Sequence, residues 1–526
     1  MSASGSGKQV SNSKTALRHH PHLYQINTWA WLDELSAKAG QALQLADVAD
    51  TEWDSIQSLG FDIVYLMGVW QRSPAGRHIF RSDAKAFKVF DHALPGWTVD
   101  SVVGSPFSIQ DYQPDTRIGN WAQLDEVRAK LHARGMRLML DFVPNHTGPD
   151  HPWIFSHPDY FLQGTEEDYH RDPGAYHLVE PVGSKPYYVA RGRDPYFAPW
   201  ADTAQVDFYS LPARQTMIAT LQEISRHCDG LRCDMAMLVL NDIFGKTWQH
   251  LLSGRPAMPT EFWEDAIAAL PAEFTWMAEV YWDMENRLQA MGFNYTYDKR
   301  LYDRLCHSYA GDIRSHLQAD VEYQGRMARF LENHDEPRSA AVFGAHTLTA
   351  FAALIATLPG LRFFHQGQFE GRTIHLPMPL NAAAVEKKDT QLEATYANIL
   401  HIASADVFHE GLWTLLQVLP HLQVQPHLQV QPDSDATHEQ LIAYSWRDAG
   451  EYRLVVVNLS EWTAQGRLFI ADQVKTGGGG QDRQCTLDDL LNDASYLRDY
   501  DDLLHNGLYV RLDGYSAHVF SISAIN

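Results

Sequence analysis

Cys228-Asp229-Gly230-Leu231-Arg232-Cys233-Asp234-Met235-Ala236-Met237 is the stretch whose reading decides the fold of this chain. It is short and apolar around its charges, and a helical-looking run from Ala213 to His227 precedes it. A buried strand that follows a helix in this way belongs to an alternating β/α fold. Arg232 and Asp234 are two residues apart, so on a strand both point to the same side. A guanidinium beside a carboxylate keeps that carboxylate ionised and aimed, as a carboxylate nucleophile requires. Taken alone, the pair reads equally well as a buried structural ion pair.

The same alternation extends outward in both directions. Leu23–Trp29, Phe61–Met67 and Arg137–Val143 read as three strands before it, with helices near Asp50–Leu59 and from Trp121 to Arg134, where Leu124, Val127 and Leu131 recur at helical spacing. Phe274–Glu279, Phe293–Tyr297, Met327–Glu332 and Leu361–His365 follow it, which makes eight strands with Gly230–Asp234. Eight β/α units predict an α/β fold of the (β/α)8 TIM-barrel type, with its site at the C-terminal ends of the strands. The stretch from Asn145 to Ser210, rich in Pro, Gly, Tyr and Asp, is too long for an ordinary connection and reads as an inserted subdomain overhanging one end of the barrel. Leu441–Trp446, Leu454–Asn458, Arg467–Ile470 and His518–Ile522 read as strands of a separate C-terminal all-β sandwich domain. The expected division is a disordered tail over 1–20, barrel over 21–144 and 211–405, insertion over 145–210 and β domain over 406–526. The tandem copy of His421–Pro426 at His427–Pro432 reads as an exposed-loop duplication, and Gly477–Gly480 as a flexible loop.

Across 526 residues, 65 Asp and Glu stand against 42 Lys and Arg, a net charge of −23. That balance argues against nucleic acid and anionic membrane surfaces as partners. Fifteen Trp and 23 Tyr make an aromatic chain, and such rings suit sugar faces as well as cores. Cys228, Cys233, Cys306 and Cys485 show no metal or disulfide spacing. Residues Met1 to His20 carry no apolar signal region, and no run reaches membrane-spanning length, so a reduced cytoplasmic location is expected. Oligomeric state is not legible.

Four strand ends deliver the groups that can do chemistry: Asp141-Phe142-Val143-Pro144-Asn145-His146, then Arg232 and Asp234, then Ala278-Glu279-Val280-Tyr281-Trp282, then Glu332-Asn333-His334-Asp335. Each is weak evidence alone. Three carboxylates converging in one cleft would repel without a task, so their arrival at the same end of one barrel is strong evidence of a site.

These four stretches resemble, in order, the four signature regions of the α-amylase superfamily, glycoside hydrolase family 13. The resemblance covers nearly the whole chain after residue 20. It implies Asp234 as nucleophile, Glu279 as general acid/base and Asp335 as stabiliser of the distorted sugar. It further implies His146 and His334 as donors to the hydroxyls of the sugar being cleaved, and Asp141 as support for Arg232 and the floor of the site. A retaining glycosidase needs one carboxylate ionised and one protonated; Arg232 would ionise Asp234, and two nearby anions would keep Glu279 protonated.

The departures bear on specificity. The family's stacking Tyr is replaced by Phe107, and the Lys-His that many α-amylases carry after the nucleophile is replaced by Met237 and Leu238. Trp70, Trp200, Tyr281 and Trp282 are candidates for sugar stacking, with core packing an equal alternative, and Glu370 reads as structural. Many members hold a structural Ca²⁺ between barrel and insertion, and the resemblance implies Asn145 and Asp207 as its ligands, oxygen donors that suit a hard cation. The chemistry itself needs no cofactor. The expected activity is retaining hydrolysis of α-1,4-linked glucans or maltooligosaccharides. The alternatives are a transglycosylating or isomerising member (trehalose- or maltose-forming) and a non-catalytic sugar-binding relative, and the retained acids argue against the last.

Overall fold

The computed structural model describes residues 17–183, 185–252, 254–307, 310–421, 436–470 and 484–525. Eight parallel strands close into a barrel: β1 (His22–Asn27), β2 (Ile63–Met67), β3 (Arg137–Phe142), β4 (Gly230–Cys233), β5 (Thr275–Ala278), β6 (Tyr295–Tyr297), β7 (Met327–Arg329) and β8 (Leu361–His365). All eight expected strands form, and β8 returns to pair with β1. Their near-continuous apolar runs are what a parallel sheet buried on both faces requires. The period of two sorts the side chains. Leu23, Ile63, Tyr65, Met67, Met139, Met277, Tyr295, Tyr297, Leu361 and Phe363 fill the barrel interior. Val64, Leu66, Leu138, Leu140, Leu231, Cys233, Trp276 and Ala278 pack outward against the helices.

Two helices show how the sequence sets element ends. The Asn27 side chain accepts from the Ala30 amide at the start of helix Thr28–Ala39, which Gly40 ends in the left-handed conformation at φ 68°. The Asn120 side chain likewise accepts from the Gln123 amide and starts helix Trp121–His132.

The insertion closes on itself. Its first residues, His146–Thr147, pair antiparallel with Ala204–Gln205 near its end, and a three-stranded sheet of Gln163–Gly164, Tyr187–Ala190 and Tyr176–Val179 lies between. A second excursion, not foreseen from sequence, leaves β2. Trp70–Arg72 pairs with Ile109–Pro114 around the helices Pro74–Ser82 and Ala84–Ala93, and this loop carries Phe107.

The C-terminal domain is a six-stranded antiparallel sheet in the order Leu412–Leu416, Leu441–Asp448, Glu451–Asn458, Ala517–Ile525, Gln484–Asp489, Ala494–Asp499. A two-stranded sheet of Ala464–Leu468 and Leu508–Leu512 joins it, so the strand expected at Arg467–Ile470 begins three residues earlier. The Tyr444 hydroxyl meets Thr357 at 2.6 Å and Trp446 Nε1 donates to the Thr357 carbonyl at 2.8 Å, which ties the domain to helix Ala345–Thr357.

The expected tail ends before residue 20. Arg18 grips the Asp62 carboxylate through Nε and Nη2 at 2.7 and 2.8 Å, and His20 Nδ1 accepts from the Gly360 amide. Residues 1–16, the copied segment beyond His421 and Gly477–Gly480 lie outside the described residues. Among the described residues no helix is long and apolar enough to cross a membrane, and all four cysteines are free thiols.

Candidate active site

The inward-facing residues of the barrel lead straight into the site. Met139 is followed two residues later by Asp141, Arg232 by Asp234, and Met277 by Glu279, so the period that fills the interior also aims these side chains into the barrel mouth.

Arg232 is the centre of the cluster and is wholly buried. Its Nη1 donates to Asp234 Oδ1 at 2.6 Å. Its Nη2 lies 2.9 Å from Glu279 Oε2 and 3.6 Å from Asp335 Oδ2. Nε donates to the Tyr297 hydroxyl at 3.3 Å. The Phe107 ring covers the guanidinium at 5.1 Å and sits 5.3 Å from the His334 ring. One cation therefore touches all three carboxylates, which is the planar multidentate recognition that arginine provides.

The carboxylates differ in environment. Burial pushes Glu279 up to about 7, the charges of Asp234 and Asp335 add to this, and Arg232 opposes it. The first cause is desolvation rather than the neighbouring anions that the sequence suggested. Burial also pushes Asp234 up, and the Arg232 ion pair works against it. Asp335 is the most exposed of the three; against some desolvation, His334, with Arg232 and His375 beside it, holds its carboxyl well below the usual range. His334 Nε2 is 3.0 Å from Asp335 Oδ2. Glu279 Oε2 also accepts from the Met235 amide at 2.7 Å, and Oε1 accepts from the Tyr281 hydroxyl at 2.8 Å. Met235 delivers that amide from a left-handed backbone at φ 40°, a conformation that costs a non-glycine residue about 1–2 kcal/mol.

The other expected residues fall as follows. Asp141 lies opposite Arg232 in the strand register. Its carboxylate accepts from the Tyr65 hydroxyl and, at 2.6 Å, from the Gly68 amide. His334 is buried, with Nδ1 2.6 Å from Gln25 Nε2. His146 is buried against the Trp200 ring at 5.2 Å and hydrogen-bonds the Phe107 backbone; burial lowers it to about 3. Tyr281 serves the acid through its hydroxyl, and Trp282 at the mouth meets Tyr196 edge-on at 5.1 Å. Trp70 is core, not a sugar platform: it is buried and its Nε1 donates to the Asp141 carbonyl at 2.8 Å.

Four residues of the site were missed from sequence: Gln25, Tyr65, Tyr297 and His375. The first three lie at inward positions of β1, β2 and β6, so counting in twos along each strand would have found them. His375 comes from the loop after β8, where Nε2 meets the His334 carbonyl at 2.8 Å, and its neighbours carry no such period. Asn145 and Asp207 stand at the two ends of the insertion, which the Val206 amide joins through the Asn145 carbonyl. Protein donors already hold both, Gln205 on the first and Arg255 on the second.

Known proteins resemble this chain in sequence and fold. The family model described as alpha amylase, catalytic domain, matches residues 50–239. An α-amylase of Haloarcula japonica is 23% identical over 337 residues, covering 62% of this chain and 41% of its own length. The chain thus spans well under two thirds of that relative. Among solved structures, a maltogenic α-amylase of Thermotoga neapolitana aligns over 97% of this chain and 99% of its own at TM-score 0.63 and 18% identity. A trehalulose synthase aligns over 97% and 100% at TM-score 0.63 and 14% identity. The catalytic-domain match over residues 50–239, the relatives and the barrel agree with one another, and this chain is similar to α-amylases in its catalytic-domain sequence and in its fold.

Proposed function

We propose that this protein is a retaining α-glycosidase that acts on α-1,4-linked glucans or maltooligosaccharides by double displacement. The observation that carries the reading is the single Arg232 guanidinium holding Asp234 and Glu279 at its two ends. Retaining enzymes keep their two carboxyl groups about 5–5.5 Å apart, whereas inverting ones leave room for a water between them. Two carboxyl groups sharing one guanidinium favour the closer, retaining arrangement.

In this reading Asp234 attacks the anomeric carbon and the glycosidic oxygen leaves with the proton of Glu279. Glu279 Oε2 is committed to Arg232 and the Met235 amide, so the transferable proton sits on Oε1, beside the Tyr281 hydroxyl. Asp335, held ionised beside His334, stabilises the positive charge that develops on the sugar. Glu279 then takes a proton from water, and the hydroxide formed releases the sugar from Asp234 with retained configuration. His146, His334 and Phe107 line the bound sugar.

Transfer to a second sugar is the reading next in line, and one feature favours it. Met237 and Leu238, apolar and buried, follow the nucleophile, so no charged side chain at those positions anchors the leaving-group sugars. The trehalulose synthase that shares the fold runs in the same direction. A reducing, cytoplasmic setting suits four unpaired cysteines. Digestion of maltotriose, with chromatography of all products, tests the reading: only shorter sugars means hydrolysis, longer ones mean transfer. Asp234→Asn should fold as wild type and lose about 10³-fold or more in kcat; wild-type turnover by that variant would remove the nucleophile assignment.

A further inference from the structure

We infer that the junction between barrel and insertion is held by a side-chain amide and a guanidinium in the place of a divalent cation. Asn145 opens the insertion and Asp207 closes it, and the backbone brings the two ends together through the Val206 amide, which donates to the Asn145 carbonyl at 3.1 Å. Gln205, wholly buried on the strand that pairs with His146–Thr147, points its amide into this junction. Its Nε2 donates to the Asn145 carbonyl at 2.8 Å, to Asn145 Oδ1 at 3.0 Å and to the Val206 carbonyl at 3.0 Å.

Three oxygens converging on one point repel one another unless a positive or hydrogen-bearing group lies there. Here that group is the Gln205 –NH2, and the separations are those of N–H···O hydrogen bonds rather than the roughly 2.3–2.6 Å of calcium–oxygen contacts. Asp207 is equally committed. Its Oδ2 accepts from Arg255 Nη1 at 2.6 Å and its Oδ1 from the Tyr209 amide at 2.8 Å. One carboxylate neutralised by one guanidinium leaves no negative charge for a doubly charged ion, which would also meet the Arg255 cation. Among the described residues no group of three or more His, Cys, Asp or Glu side chains is placed to hold a metal. The donor set therefore does not fit a calcium ion. The strand pair that Gln205 anchors carries His146 opposite it, so a fixed protein hydrogen-bond network positions the insertion over the site.

The test is thermal unfolding of the full chain, purified with excess EDTA and then measured in EDTA and in millimolar CaCl2. The expected result is the same Tm in both and no heat of calcium binding by calorimetry. A Tm that falls in EDTA and recovers with CaCl2 would overturn the inference. Gln205→Leu keeps the bulk but removes the donor. Its Tm should fall by several degrees and stay low with CaCl2, and an unchanged Tm would overturn the role of the amide. Should that variant fail to fold, the wild-type comparison decides alone, because it reads unfolding rather than activity.

Discussion

Tyr281 donates its hydroxyl to Glu279 Oε1 at 2.8 Å from two residues further along the same strand end. The hydrogen bond stabilises the ionised form of the acid, against the burial that favours the protonated form. The acid works only while protonated, so kcat/KM should be lost as pH rises through about 7, the value to which burial lifts Glu279. Tyr281→Phe removes a donor to the carboxylate, disfavours its charge and should move this basic limb upward by roughly one pH unit. A pH–rate profile checks both. A purely stacking Tyr281 would change KM and leave the limb where it is.

Arg232 contacts three carboxyl groups from full burial. Arg232→Gln should lower kcat by about 10³-fold and shift the acid limb upward, because burial of Asp234 is then unopposed. The same variant should melt below wild type, since it leaves buried charges unpaired.

The barrel was legible because its strands are long apolar runs and because Arg232 and Asp234, like Met277 and Glu279, share the period of two that aims them. The excursion after β2 was not, although it delivers Phe107. Its helices Pro74–Ser82 and Ala84–Ala93 bury little of their surface, so no strong apolar pattern announces them. Leu412–Leu416, Gln484–Asp489, Ala494–Asp499 and Leu508–Leu512 were also missed. Charged and polar residues interrupt the last three, and Leu412–Leu416 is an edge strand with one buried side chain. Gln205 carried no local signal at all; its role exists only once Asn145 and Val206 are brought to it.

A second buried charge cluster supports the barrel at the end of β6. Asp298, at the end of β6, is 2.9 Å from His316 Nε2 and 3.1 Å from Arg329 Nε. Burial opposes its charge, but these two partners hold it down at about 2. A depressed carboxyl stabilises the fold above its unfolded value near 4, and that contribution is lost as pH falls from about 4 to 2. Asp298→Ala should cost about 3–5 kcal/mol by leaving Arg329 buried without its partner. Denaturant unfolding at neutral pH measures this, and the gap from wild type should narrow toward pH 2.

The most direct test of the mechanism is the anomeric form of the first product. Proton NMR of maltotriose digestion at early times, before mutarotation, distinguishes the two outcomes. Double displacement at Asp234 predicts that the α-anomer appears first and relaxes to the equilibrium mixture. A β-anomer formed first would require direct attack by water and would contradict a covalent glycosyl-enzyme on Asp234.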